Sequence, residues 1–153
     1  MGLMDRLIGH ADVNTASSYN VERFFWGGEH VVAAFRFVRD EIVVTTRGIF
    51  VVDVQGLTGK KKEYRYFPLK GLKYVSFETA GTLDMDADIK IGVDGNTQLI
   101  NGIPYNSPLS FKIPKGQSEQ GEHFMRLVKA LIDGWEPNGA PTQVVHETVP
   151  VKP

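Results

Sequence analysis

Cysteine is missing altogether from the 153 residues. That absence excludes disulfides, thiol nucleophiles, CxxC redox chemistry and thiolate zinc sites. No apolar stretch nears the roughly 18 residues that a membrane-spanning helix requires. The opening MGLMDRLIGHADV has its few apolar residues interrupted by Asp5 and Arg6, so it lacks a signal-peptide core, and the expected location is the cytoplasm. Net charge is scarce as well: 17 Lys and Arg against 18 Asp and Glu leave a formal charge of -1. Such a chain exerts no global pull on nucleic acid or an anionic membrane, so a charged partner has to be met locally.

Catalytic patterns are equally sparse. The four histidines, His10, His30, His123 and His146, are scattered along the chain. GQSEQG at Gly116 has the wrong spacing for a nucleophile elbow, and no HExxH-type metal pair occurs. VQGLTGKKK superficially resembles a nucleotide loop, but Val54 stands where the first glycine belongs and Lys61 where a hydroxyl belongs. Two glycines in a turn between strands explain it. The expectation is a chain with no catalytic residue, no metal and no cofactor.

What is present is a 42% apolar chain, long enough for one core without covalent staples. Leu3, Met4, Leu7, Ile8 and Ala11 predict a short amphipathic N-terminal helix, too short to stand alone. From Glu29 the period changes to two. HVVAAFRFV, EIVVTT, GIFVVDVQ, KEYRYFP, LKYVSFETA, DADIKIGV and LSFKIP predict about seven strands, joined too tightly for crossover helices and hence antiparallel. Phe124, Leu127, Val128, Leu131 and Ile132 form the stripe of a helix from Ser118 to Asp133, with Ser118 as N-cap, Gly134 as left-handed C-cap and Trp135 folding back. The predicted fold class is α+β, a curled sheet or partial barrel capped by a C-terminal helix. The expected divisions are 1–28 for helix and linker, 29–135 for the domain and 136–153 for an extended tail.

Two charged segments stand out. Lys60, Lys61 and Lys62, followed by Arg65, Lys70 and Lys73, are candidates for contact with an anion or partner. Alternation along a strand keeps all six from converging, and lysines also protect strand edges. Asp84, Asp86 and Asp88 would lie on one face of an extended chain, about 7 Å apart. They need an answering charge, from a metal, a basic neighbouring strand or another subunit. The calcium-loop pattern fails at Ile89 and Gly95. Phe24, Phe25, Trp26, Tyr64, Tyr66, Phe67 and Tyr74 are able to stack on bases, although core packing and cross-strand pairing account for them more simply.

Three motifs in order then carry a resemblance: Arg39-Asp40 before a strand, VDVQGLTGKKKEY at 52–64, and ETAGTLDMDADIKI at 78–91. With the opening MGLMDRLIGHA, they make the stretch from Met1 to Val93 similar to the bacterial pleckstrin-homology (PH) domain family. The resemblance implies a PH-like partial barrel with a capping helix, a tendency to form rings of identical subunits, and no established catalytic activity. It does not imply phosphoinositide binding, because the first hairpin loop, Val38 to Glu41, is net acidic. Gly48 departs from the family, which more often has a bulkier residue there, and 94–114 carries none of its motifs.

The leading expectation is a non-enzymatic domain that self-assembles head to tail and presents a protein-binding surface. Asp84, Asp86 and Asp88 are the candidate subunit interface, and the expected partners are the chain itself and a further protein, without nucleic acid. The alternative is peripheral attachment to an anionic membrane or ligand through the N-terminal helix and the lysine turn.

Overall fold

The computed structural model describes residues 17–79, 81 and 86–137; the expected N-terminal helix and most of the tail lie outside them. All seven expected strands are present. β1 (Val31–Phe37), β2 (Asp40–Thr45), β3 (Gly48–Gln55) and β4 (Lys61–Pro68) form an antiparallel sheet in that order. In a second sheet β6 (Ala87–Val93) lies between β5 (Leu72–Glu78) and β9 (Leu109–Ile113). Two further strands, β7 (Thr97–Ile100) and β8 (Ile103–Asn106), pair with each other as a separate hairpin. The count among the described residues is therefore nine rather than about seven. Asn101 and Gly102, with φ of 54° and 80°, close this hairpin in the left-handed conformation that a two-residue primed turn demands.

The helix α1 runs Ser118–Ile132. Gln117 rather than Ser118 occupies its N-cap position, with no side-chain capping bond. The other end matches expectation. The Gly134 N–H donates to the Leu131 carbonyl at 3.1 Å, and the Trp135 N–H donates to that of Ala130 at 3.0 Å. With Gly134 at φ 104°, this is a Schellman closure, and it turns Trp135 back against the core. The buried helix stripe of Phe124, Leu127, Val128 and Leu131 fills the space between the sheets. Phe124 joins them directly, its ring centroid lying 4.9 Å from Phe35, 6.1 Å from Phe37 and 6.3 Å from Phe111.

Strands β1 to β3 of the first sheet are buried on both faces. Ala33, Phe35, Ile42, Val44, Ile49 and Val51 point into the main core, while Ala34, Val43, Phe50 and Val52 form a second cluster with Val21. Tyr19 and Phe25, from the segment read as helix and linker, pack on that second cluster. Runs such as IVV and IFVV show this in sequence, since a strand open to water on one face alternates.

Polar contacts fasten the covering segment. Glu41 is only 1% exposed, and it accepts the Ser17 hydroxyl at 2.6 Å and the Ser18 N–H at 2.8 Å. The first hairpin loop thus offers little acidity to solvent. Asp40 accepts the Val54 N–H, and Arg39 donates to the carbonyls of Val54 and Gly56. Farther along the sheet, the buried Thr45 hydroxyl donates to Glu29 at 2.6 Å and accepts the N–H groups of Arg47 and Gly48, each at 3.0 Å.

Gly48 now has a physical explanation. A Cβ at this position would lie 2.5 Å from the ring atoms of Tyr66, which crosses the backbone from β4. Tyr74 covers Gly92 in the same way.

Three stability outcomes follow, each measurable by urea denaturation. Phe124→Ala should cost about 3–5 kcal/mol, because it opens a cavity between the two sheets. Gly48→Val should cost about 1–3 kcal/mol through overpacking, and most of that penalty should vanish in a Tyr66→Ala background. Glu41→Ala should cost about 1–3 kcal/mol by stripping the Ser17 and Ser18 donors of their acceptor.

Candidate interaction surface

The basic segment does not gather at one point. Strand alternation sends Lys61, Glu63, Arg65 and Phe67 to one side of β4 and Lys62, Tyr64 and Tyr66 to the other. Lys60 and Lys61 are exposed at the turn, where Gly56 and Gly59 adopt φ of 76° and 68°. Lys62 is half-buried, with its ammonium 5.5 Å from the Tyr19 ring centroid and within 3.2 Å of the Gly59 carbonyl. Arg65 donates to Asn96 Oδ1 at 3.0 Å, and Lys73 lies 3.4 Å from Asp94. These cations are distributed among separate local tasks.

The acidic run is likewise divided. Asp84 lies outside the described residues. Asp86 is exposed, and Asp88 lies 3.3 Å from Lys112 on the neighbouring strand β9. A basic neighbouring strand therefore answers one of the three carboxylates. Among the described residues no His, Asp or Glu group is arranged to hold a metal. His30 is exposed on a strand approach and His123 is buried in α1, while His10 and His146 lie outside the described residues.

The chain's aromatic residues divide between core and surface. Phe67 is buried in the main core. Phe24, Trp26 and Tyr66 are substantially exposed, Trp26 to 73%. Phe24 and Tyr66 belong to a ring-to-ring strip on the outer face of the first sheet, and Trp26 lies at its end beside Arg47. Phe24 lies 5.1 Å from Tyr64 and 6.3 Å from Phe50, and Phe50 lies 4.8 Å from Tyr66. Cations sit on this strip. The Arg23 guanidinium is 4.9 Å from both the Phe24 and Tyr64 centroids, Arg36 is 4.8 Å from Tyr19, and Arg47 is 5.1 Å from Trp26. Arg47 also donates to the Gly27 carbonyl at 2.6 Å, which fixes its position. Burial, reinforced by Glu29 and opposed by Arg47, raises the Tyr66 pKa above the ordinary phenol value. The sequence pattern singles out none of these arginines as binding residues; the available signal was the density of aromatics in YNVERFFW beside Arg23.

The β7–β8 hairpin is the other distinctive surface. All eight of its strand residues are exposed, including Leu99, Ile100, Ile103 and Tyr105, and 97–106 carries no charge. Its base is held firmly. Asn96 Nδ2 donates to the carbonyls of Ser107 and Pro108, the Ser107 N–H donates to the Asn96 carbonyl at 2.8 Å, and Asn106 donates to that of Val93. No helix among the described residues is long and apolar enough to cross a membrane.

Comparison with known proteins agrees with this architecture. The model of the bacterial PH domain family matches residues 2–107. An uncharacterised Bacillus subtilis (strain 168) protein, YjqA, is 41% identical over 97 residues, which span 62% of this chain and 78% of that protein. The crystal structure of a pleckstrin homology domain from Shewanella amazonensis SB2B superposes with a TM-score of 0.63 at 28% identity, covering 86% of this chain and 98% of the other. A DUF1696 family protein with a pleckstrin-homology domain, from Shewanella loihica PV-4, gives 0.54 at 30% identity over 72% of this chain and 86% of its own. With its two antiparallel sheets, C-terminal helix and matching motifs, the chain belongs to the bacterial PH domain family.

Proposed function

We propose that the chain is a non-enzymatic PH-like module that assembles with copies of itself and serves as a scaffold for protein binding. The observation that carries this reading is the uncharged β7–β8 hairpin, all of whose strand residues are exposed. Two-stranded ribbons are marginal in water, and edge strands of soluble proteins are ordinarily defended by charge. Here one edge alone is blunted. In a hairpin closed by a two-residue turn, the Leu99–Pro104 pair directs its backbone groups outward, and Pro104 has no N–H to offer. The β7 edge keeps the outward N–H and C=O of Leu99 and Thr97, beside apolar side chains able to join a neighbouring subunit.

Charge supports the same reading. Exposed Asp86, with Asp84 and Asp88 in the same run, complements the exposed turn of Lys60 and Lys61 with Lys62, and opposite patches on one chain suit head-to-tail contact. Attachment of the lysine turn to an anionic surface has weaker support, since Lys61 and Lys62 fall on opposite faces of β4.

Light scattering at micromolar concentration tests the proposal. The wild-type chain should be oligomeric, and Leu99→Glu with Ile103→Glu should shift it to a monomer that keeps the wild-type circular dichroism spectrum. Replacing Asp84, Asp86 and Asp88 together by lysine should also weaken assembly. A monomeric wild-type chain at moderate salt overturns the reading.

A further inference from the structure

The cation-bearing aromatic strip calls for a ligand of its own. Arg23, Arg36 and Arg47 are exposed, and Lys62 is half-buried. Among the described residues, no carboxylate lies within 4.0 Å of any of these four cations. Nearby carboxylates are already engaged: Glu22 accepts the Ser17 N–H, Glu29 accepts the Thr45 hydroxyl, and Glu41 is buried under Ser17 and Ser18. The cations are nevertheless held in place by rings and by the Gly27 carbonyl. Positioned positive charge beside exposed Trp26, Phe24 and Tyr66 has the composition of an interaction hot spot, where Trp, Tyr and Arg predominate.

We propose that this strip docks a carboxylate-rich, extended segment of a partner protein. The proposal rests on the protein-binding half of the function proposed above and is independent of self-assembly. Guanidinium groups seated on rings still present their N–H edges, which suit bidentate pairing with carboxylates. Trp26 and Phe24 supply apolar contact between those pairs. From Lys62 to Tyr66 the strip extends about 13 Å at roughly 3.3 Å per strand residue, a length that a short extended peptide can follow.

The same geometry disfavours two other anionic partners. Nucleobases need open ring faces, whereas Arg23 lies over both Phe24 and Tyr64, and Arg36 and Lys62 lie over Tyr19. Membrane insertion favours cations that reach outward past buried rings, whereas these cations rest on the rings themselves.

The test uses the full chain with Trp135→Phe, leaving Trp26 as the single tryptophan. Titration with an acetylated octaglutamate peptide at low salt should give a saturable change in Trp26 emission, and the uncharged octaglutamine peptide should give none. Arg23→Ala with Arg47→Ala should weaken binding by about tenfold or more, as expected for loss of charge-assisted hydrogen bonds. Lys90→Ala with Lys129→Ala removes equal charge on β6 and α1, away from the strip, and should leave affinity within about twofold, because exposed charges beyond the contact are screened. If the double arginine variant fails to fold, Arg47→Gln tests the same point by removing charge while retaining an N–H donor for Gly27. An unresponsive Trp26, or equal losses in the arginine and lysine variants, overturns the proposal. So does a response to phosphatidylserine vesicles or oligouridylate without one to octaglutamate. Light scattering on the same samples reports assembly separately, so failure of peptide binding is distinguishable from failure of the oligomer.

Discussion

The outer face of the first sheet is shaped by the need to cover strands that are apolar on both sides. The main core accounts for one face of β1 to β4. The other face, with Ala34, Val43, Phe50 and Val52, would remain in water unless another part of the chain lay across it. Residues 17–28 meet that need, with Val21 wholly buried and Tyr19 and Phe25 packed beside it. Covering an aromatic sheet with an aromatic, arginine-bearing segment creates the cation-lined strip as a direct result.

Rigidity at both ends of the molecule comes from polar groups that the apolar pattern leaves over. Glu41 ties down the start of the covering segment, and Thr45 organises the turn that presents Arg47. Asn96 and Asn106 fasten the base of the β7–β8 hairpin, and Arg65 links that base to β4. The two candidate interaction surfaces therefore rest on a fixed frame. Tyr66 couples one of them to the sheet by lying over Gly48, so this glycine serves a packing function in the chain.

Regular periodicity was the readable part of the fold. Strands such as β9 and the helix stripe are legible in alternation and i, i+3, i+4 spacing because each buries one definite face, whereas β2 and β3 are legible as unbroken apolar runs buried on both. The helix stop was also readable, since Gly134 followed by Trp135 and Pro137 permits few other local arrangements. The hairpin at 97–106 escaped because its apolar residues face water on both sides and so produce no burial pattern. Asn101-Gly102 was the local signal that marked it. Ser118 looked like an N-cap by residue type, yet the helix boundary falls one position earlier, and such a shift leaves no trace in composition.

The amino-acid sequence by itself determined the family, the antiparallel strands, the capping helix and the separation of basic from acidic segments. These are properties of neighbours along the chain, set by local spacing and residue type. Tertiary structure alone decided that Glu41 would be buried, that Tyr66 would occupy the space above Gly48, and that Arg23, Arg36, Arg47 and Lys62 would share one aromatic face. Those residues are distant in sequence. Strand register and a covering segment bring them together, and the energy that does so is the burial of apolar surface on the sheet's second face.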